Sequence, residues 1–218
     1  MLNRLSKLLP APARHALWIR RVRYRFVRDV RRAAAGQLRI VVGASNVSAP
    51  GWIQSEAEFL DLLDADAWER YFQVESVDAI LAEHVWEHLS ETDGLTAARQ
   101  CYRFLKSGGY LRLAVPDGNQ TAPGYIRYVD VDGTGPGADD HKVLYTAASF
   151  SELLREAGFE PQLLEYFDDQ GSFHEVPWDP DDGMIHRSRR FDPRNRGRLG
   201  YTSLIIDARK RADATVSQ

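Results

Sequence analysis

The segment SVDAILAEHVWEHL, residues 76–89, contains the clearest strand signal in the chain. Residues 77–82 are mostly apolar, as expected for a parallel strand that is buried on both faces. Acidic Glu83 ends this run, and His84 follows where a strand turns into a helix. Ligands of open α/β sheets bind outside the carboxyl ends of the strands. His84 is therefore predicted either at the edge of an active site or in a purely structural turn.

His84, Glu87 and His88 also match the H-x-x-E-H pattern of a class of zinc proteases. That chemistry needs both histidines on one face of a continuous helix and a further ligand downstream. Because the predicted strand reaches Glu83, His84 falls in the turn and not on the helical face of His88. We therefore expect no metal site, and we interpret Glu87 and His88 as helix residues.

Alternating strands and helices surround this segment. Capped, amphipathic patterns predict helices over 92–106 and 146–159. Five further apolar runs predict strands at residues 38–43, 52–56, 110–118, 161–167 and 201–209. This alternation predicts an α/β fold with a doubly wound, mainly parallel sheet. No helix is predicted before the last strand, so that strand is expected to run antiparallel.

The composition predicts one globular domain with a substantial core. The chain has 218 residues, of which 44% are hydrophobic and 27% are charged. Cys101 is its single cysteine, which excludes an internal disulfide and fits a reducing compartment. The sequence has neither a long apolar run nor a secretory signal pattern, so we expect a cytoplasmic location.

A basic extension precedes the domain. Residues 1–36 hold ten Lys or Arg and one acid, whereas the remainder holds 18 basic and 30 acidic residues. An apolar stripe at helical spacing predicts an amphipathic helix, and it comprises Trp18, Ile19, Val22, Phe26 and Val30. We expect this helix to cover the domain or to contact an anionic membrane, and we disfavour nucleic acid because the remainder is acidic. The expected units are the extension 1–36, the domain 37–210 and a disordered tail 211–218.

The first two strand ends carry a glycine turn and an acid. Gly43 follows the first predicted strand, and a glycine there lets the backbone approach a ligand closely. Glu56 ends the second strand, where a carboxylate can accept hydrogen bonds from both hydroxyls of a ribose. Each feature alone also fits an ordinary turn or an exposed acid. Together, thirteen residues apart, they favour a ligand of the adenosine type.

Three stretches carry a resemblance to a known family: GWIQSE, SVDAILAEHVWEHL and ARQCYRFLKSGGYLRLAVPDG. They resemble the class I methyltransferases that use S-adenosylmethionine, in the methyltransferase type 11-like group. The match spans about residues 38–117. The resemblance implies a Rossmann-like methyltransferase fold, in which the sheet has seven strands and the last is antiparallel. It also implies S-adenosylmethionine as the cofactor.

The resemblance further implies a set of cofactor-binding residues. These are Gly43, Ala44, Ser45, Glu56, Asp61 and Glu83. The first three match the cofactor-binding turn, and Glu56 matches the acid that binds the ribose. Asp61 is expected near the adenine, and Glu83 is expected with His84 beside the methionine moiety and the substrate. The chain departs from the pattern in three places, because GAS replaces G-x-G at the turn, Glu replaces Asp as the ribose acid, and KSGG replaces K-P-G-G.

Catalysis would need an aligned acceptor and a base. Methyl transfer is an in-line displacement at a sulfonium carbon, and an alcohol acceptor must also lose its proton. The candidate bases are His84, His141 and Asp117. His141 lies in a long Gly- and Asp-rich loop, where it is either a base or an exposed connection residue. We expect an oxygen of a small molecule or of a sugar as the acceptor.

Two other functions stay open on sequence grounds. A domain that binds partners without transferring methyl groups is favoured by the GAS turn. An NAD-dependent oxidoreductase is suggested by the Y-x-x-x-K spacing of Tyr102 and Lys106, but Tyr102 falls on the apolar face of its helix. The arginine-rich segment 178–198 either binds an acidic substrate or pairs with the acids of its own DPDD sequence.

Overall fold

A computed structural model describes residues 10–33, 36–45, 49–196 and 198–212. Three predicted features, namely the basic extension, the glycine loop and the tail, lie partly outside the described residues. The parts outside are residues 1–9 of the extension, residues 46–48 of the loop and residues 213–218 of the tail. Within the described ranges, no helix is both long and apolar enough to cross a bilayer.

A mixed sheet forms the centre of the molecule. Its strands are β1 Arg39–Val41, β2 Ile53–Gln54, β3 Val77–Glu83, β4 Leu105–Pro116, β5 Glu160–Phe167, β6 Phe173–Glu175 and β7 Ser203–Arg209. The spatial order is β2-β1-β3-β4-β7-β5-β6, seven strands among the described residues. The first four in this order are mutually parallel, whereas β7 is antiparallel to both β4 and β5. The predicted α/β sheet with an antiparallel last strand is confirmed.

Where the structure describes the chain, one helix precedes the sheet, and four others lie in the connections from β2 to β3, from β3 to β4 and from β4 to β5. They are α1 Ala11–Ala33, α2 Ala65–Glu69, α3 Glu91–Phe104, α4 Tyr125–Val129 and α5 Ala147–Glu156. The side chains of Ser90 and Thr146 cap α3 and α5 by accepting backbone N–H groups of their first turns. The predicted helix 92–106 ends earlier than expected, because Leu105 already pairs with Val77 as the first residue of β4.

The sequence predicted six strands, and β6 is the one it missed. This strand has three residues, lies at the edge of the sheet and pairs antiparallel with β5 alone. Short edge strands carry little apolar signal because one side of the strand faces solvent. The loop predicted before His141 also contains the short helix α4 and a 3₁₀ turn at Ala138–Asp140.

The two faces of the sheet are covered differently. Successive strand residues point to opposite faces, so Ile40 and Ile80 contact the helices while Val41 and Leu81 face the other way. Helices α1, α2, α3 and α5 pack on the first face. The second face is covered by the long connection before β7, whose Ile185 is fully buried there.

Helix α1 is docked on the domain through its apolar stripe. Phe26 is 1% exposed. Its ring lies 5.2 Å from the Phe59 ring, 5.0 Å from Tyr71 and 5.9 Å from Phe72, measured between centroids. The opposite face is exposed and carries Arg20, Arg21, Arg23, Arg25, Arg28, Arg31 and Arg32. The expectation that this helix covers the domain is confirmed, whereas membrane contact stays a prediction.

Candidate functional site at the carboxyl ends of the strands

The glycine turn after β1 packs directly against the segment after β3. Gly43 has a φ of +59°, and a Cβ atom at this position would lie 2.9 Å from Val85 Cγ2. A larger residue would therefore be strained and would displace Val85. Ala44 is buried, and its N–H donates to the Ser55 carbonyl at 2.9 Å. Ser45 also adopts a left-handed conformation, with a φ of +49°.

Glu56 lies against this turn. Its side chain follows β2, and the residue is 6% exposed. The Ser45 N–H donates to Glu56 Oε2 at 3.2 Å, which joins the ends of β1 and β2. Burial desolvates the carboxylate and raises the pKa of Glu56, an effect that the Ser45 N–H partly offsets. The two features that the sequence singled out thus lie together at one edge of the sheet.

Asp61 serves a local turn. Its Oδ1 accepts the Leu63 N–H at 2.9 Å, and its carbonyl accepts the indole N–H of Trp68 at 2.9 Å. These bonds fix the start of α2, whose N-cap is Asp64. The structure therefore gives Asp61 a structural task, and its predicted place near an adenine stays a prediction.

Glu83 is engaged by the connection before β7. Its side chain is 6% exposed, Oε1 accepts the Arg187 N–H at 2.7 Å, and Oε2 lies 3.1 Å from His186 Nδ1. The end of β3 thereby holds a segment that is more than a hundred residues away in sequence. Sequence patterns gave no sign of this contact, because neither His186 nor Arg187 belongs to a regular element.

His84 is held on both sides of its ring. Its Nδ1 lies 2.7 Å from Glu87 Oε1, and its Nε2 lies 2.9 Å from Ser203 Oγ. The side chain is 8% exposed, and the backbone φ of +56° marks a sharp turn. Trp86–His88 forms a 3₁₀ turn, so His84 and His88 do not share a continuous helix, as the sequence predicted. Because both ring nitrogens are occupied, His84 positions Glu87 and the end of β7.

His141 is buried, so the alternative of an exposed loop residue is wrong. The residue is 8% exposed, and its Nδ1 lies 2.7 Å from the Val129 carbonyl. The carbonyl of Glu87 accepts the N–H groups of Lys142 at 2.7 Å and of Val143 at 3.3 Å. These bonds bring the His141 ring to 4.9 Å from the His88 ring, measured between centroids.

Glu87 lies between these two histidines and His84. Its side chain is 1% exposed. Burial alone would raise the pKa of Glu87, but the pKa is lowered overall because the charge and the hydrogen bond of His84 together outweigh the desolvation.

Asp117 links the ends of β4 and β5. It is fully buried, its Oδ1 accepts the Asn119 N–H at 2.9 Å, and its Oδ2 accepts the Phe167 N–H at 2.7 Å. Burial raises the pKa of Asp117 to about 6, although both backbone N–H groups act in the opposite direction. Both carboxylate oxygens are engaged by the backbone, which indicates a structural task for Asp117.

This pKa leads to a testable pH dependence. The folded-state pKa of about 6 exceeds the unfolded value, so the folded protein binds this proton more tightly. The stabilisation that protonated Asp117 gives the folded state is fully present below about pH 4 and is lost as the pH rises through about 6. We expect the unfolding free energy of the wild type, relative to Asp117→Asn, to fall by roughly 1–3 kcal/mol over this interval. Urea unfolding from pH 4 to 7 measures it, and a pH-independent difference would contradict the assignment.

The arginine-rich segment is fastened by acids outside the DPDD sequence. Arg189 pairs with Glu175, and Arg194 pairs with Asp192 at 2.5 Å. The expectation that these arginines pair with residues 179–182 is therefore wrong for both. Glu175 lies on β6, fourteen residues from Arg189 in the chain, so the sequence did not reveal this partner.

Tyr102 and Lys106 do not form an oxidoreductase site. Lys106 Nζ lies 2.7 Å from Asp78 Oδ1, next to the first residue of β3. The Tyr102 ring packs edge-on against Phe159 at 5.0 Å between centroids. Both side chains are thus remote from the carboxyl edge of the sheet, where ligands of this architecture bind.

Comparison with known proteins agrees with this architecture. A family model described as a methyltransferase domain matches residues 43–113. The matched segment begins at the glycine turn and includes Glu56, Glu83 and His84. The resemblance to class I methyltransferases is confirmed. No curated protein sequence matches the chain.

Solved methyltransferase structures are similar only at a distance. An S-adenosylmethionine-dependent methyltransferase from Archaeoglobus fulgidus is 14% identical, with 89% of this chain and 94% of that chain covered and a TM-score of 0.47. A possible histamine N-methyltransferase from Thermotoga maritima is 16% identical, with coverages of 97% and 100% and a TM-score of 0.45. Phosphoethanolamine N-methyltransferase 2 from Haemonchus contortus, solved with S-adenosylhomocysteine, is 13% identical, with coverages of 82% and 49% and a TM-score of 0.45. Such distant likeness transfers no residue role and no substrate to this chain.

Proposed function

We propose that this protein binds S-adenosylmethionine and transfers its methyl group to an oxygen of a small molecule or a sugar. The observation that supports this proposal is the contact between Ser45 N–H and Glu56 Oε2, at 3.2 Å. It joins a glycine turn after β1 and a buried acid after β2 at the edge where α/β sheets bind adenosine ligands. The match of residues 43–113 to a methyltransferase domain supports the same function.

The residues present fit this cofactor. Gly43 turns the backbone with a φ of +59°, and the absence of a side chain lets this turn close against Val85 at the strand ends. We assign Glu56 to the ribose hydroxyls, because a carboxylate accepts hydrogen bonds from both. Ala44 and Ser45 complete the turn, and Glu83 lies at the neighbouring strand end. When bound, the cofactor would supply a methyl group activated by its sulfonium charge.

Removal of the acceptor proton is assigned to His141. His84 and Asp117 are occupied on both of their polar atoms, as described above. The bond between Nδ1 of His141 and the Val129 carbonyl places the proton on Nδ1, since a carbonyl only accepts. Nε2 then carries a lone pair that can accept a proton from an acceptor hydroxyl.

Incubation with S-adenosylmethionine labelled in its methyl group tests the proposal. We expect label transfer and formation of S-adenosylhomocysteine with members of a panel of phenols, aliphatic alcohols and sugars. His141→Ala is expected to lower the rate roughly 100-fold or more, whereas His174→Ala, at an exposed histidine on β6, is expected to retain it. Cofactor binding without turnover across a broad panel would instead favour a non-catalytic binding domain.

The proposed setting is the cytoplasm, where the buried Cys101 would stay reduced. The exposed arginine face of α1 supports peripheral contact with anionic membranes as an additional proposal. Release of the protein from anionic vesicles by salt would be the expected behaviour, because such contacts are screened.

A further inference from the structure

A second group of side chains, beside the proposed cofactor turn, has the chemistry of a metal site. Glu87, His88 and His141 each offer one ligand atom, and these atoms lie within 4.8 Å of one another. We propose that this group binds one divalent first-row transition-metal ion, with the Glu87 carboxylate and the two imidazoles as ligands. This proposal departs from the expectation, drawn from the sequence, that the protein has no metal site.

Two buried polar atoms support this proposal independently of the spacing. Both are inaccessible to solvent: Glu87 Oε2 finds no hydrogen-bond partner in the described part of the chain, and His88 Nδ1 has a long ion-pair contact of 3.4 Å with Asp140 but no well-formed hydrogen bond there. A carboxylate oxygen that is buried without a partner costs considerable free energy. The Glu87 side chain is 1% exposed, so bulk water does not compensate it. A cation between Oε2 and the imidazoles would satisfy both atoms.

The third ligand is oriented as a metal-bound histidine is. The Val129 carbonyl lies 2.7 Å from His141 Nδ1 and leaves the lone pair on Nε2. Metal-binding histidines regularly donate their other ring N–H to such a carbonyl, which fixes the tautomer and the orientation of the ring. The N–H groups of Lys142 and Val143 on the Glu87 carbonyl hold this segment in place without any ion.

Glu87 is oriented by the same kind of contact. Its Oε1 is held by His84 at 2.7 Å, and His84 is held by Ser203 at 2.9 Å. This leaves Oε2 as the oxygen that would face the ion. Asp140 Oδ2 lies 3.4 Å from His88 Nδ1, and the Asp140 side chain is 69% exposed. A second carboxylate therefore lies on the solvent-exposed side of the group.

The donor set selects the class of ion. Two imidazoles and one carboxylate suit Zn²⁺, Mn²⁺ or Fe²⁺, whereas Mg²⁺ prefers oxygen ligands and retains its water. Donors around one tetrahedral ion lie about 3.4 Å apart, so the group must contract slightly on binding. The His88 side chain is 33% exposed and has room to rotate.

Such an ion would bear on the proposed reaction. Val85, which packs beside the Gly43 turn, is two residues before Glu87, so a short piece of chain links the group to the proposed cofactor turn. Three protein ligands leave a coordination position for water or for an acceptor oxygen. In the ion-bound protein, the ion would promote ionisation of the bound acceptor hydroxyl, and the proton would pass to solvent water and not to Nε2 of His141. This last step rests on the proposed function, whereas ion binding does not.

Titration of the chelator-treated full chain with Zn²⁺ and Mn²⁺ by calorimetry tests the site. We expect saturable binding of one ion per chain and a higher Tm in the presence of the ion. His88→Ala and His141→Ala are each expected to weaken binding at least 10-fold, because each removes one ligand. His174→Ala, at an exposed histidine of β6 paired with Asp168, is the matched control and should bind as the wild type does.

The inference would be overturned by absent saturable binding, by binding unchanged in both ligand variants, or by equally tight binding of Mg²⁺. Circular dichroism verifies that each variant is folded, and His88→Ala is the safer variant because His88 is partly exposed. Cofactor binding is measured separately on the same samples. Failure of ion binding with intact cofactor binding would refute this site alone, and the converse would refute the proposed function alone.

Discussion

Replacement of Glu56 by alanine is expected to weaken S-adenosylmethionine binding by roughly 100-fold or more. Hydrogen bonds to a charged group contribute about 1.5–3 kcal/mol each, and a tenfold change in affinity corresponds to about 1.4 kcal/mol. The carboxylate is assigned two such bonds, one to each ribose hydroxyl. Calorimetric titration of the wild type and of Glu56→Ala with S-adenosylhomocysteine measures the loss without turnover.

The neighbouring Glu58 offers a matched control. Its side chain is 45% exposed and contacts His15 on α1. Glu58→Ala is expected to bind the cofactor as the wild type does, and Glu56→Asp is expected to retain part of the affinity because it keeps the charge. Equal binding by Glu56→Ala and Glu58→Ala would contradict the assignment of the ribose site.

Removal of Arg112 is expected to produce the largest loss of stability. Arg112 and Asp207 form a buried ion pair with two hydrogen bonds, at 2.7 Å and 2.9 Å, and their side chains are 3% and 2% exposed. Arg112 Nη1 also donates to the carbonyls of Asp179 and Gly183, each at 2.9 Å. Arg112→Ala would leave the buried Asp207 charged, with the half-exposed Arg209 at 3.4 Å as its remaining ion-pair partner, at a cost of about 3–5 kcal/mol in unfolding free energy. Urea unfolding at neutral pH measures this loss.

An exposed ion pair provides the comparison. Arg99 and Glu156 lie 3.1 Å apart, with side chains 57% and 61% exposed. Glu156→Ala is expected to change the unfolding free energy by less than about 1 kcal/mol. If Arg112→Ala changed the unfolding free energy by as little as Glu156→Ala, the account in which the buried pair holds the connection before β7 on the sheet would be contradicted.

The fold was largely predictable from local patterns. The strands β1, β3 and β4 are apolar runs that the helices bury, and alternation of strands with helices indicates a parallel sheet. β6 escaped prediction because it is short and half exposed at the sheet edge. The helix boundary at Phe104 was also missed, because Leu105 joins β4 through tertiary pairing with Val77.

The site was predictable only in part. The rule that ligands bind at strand ends located Gly43, Glu56 and His84 in one region, and the structure brings Glu56 into contact with Ser45 of the Gly43 turn. The burial of His141 depends on its hydrogen bond to the Val129 carbonyl and on those from the Lys142 and Val143 N–H groups to the Glu87 carbonyl, which no sequence spacing encodes. The same holds for Arg112 and Asp207, which are 95 residues apart.

The most direct test of the central proposal is a calorimetric titration of the wild-type protein with S-adenosylmethionine and S-adenosylhomocysteine. We predict saturable binding of one ligand per chain, accompanied by a higher Tm because the ligand binds the folded state alone. A well-folded sample that shows neither heat of binding nor a Tm shift with either ligand would contradict the account.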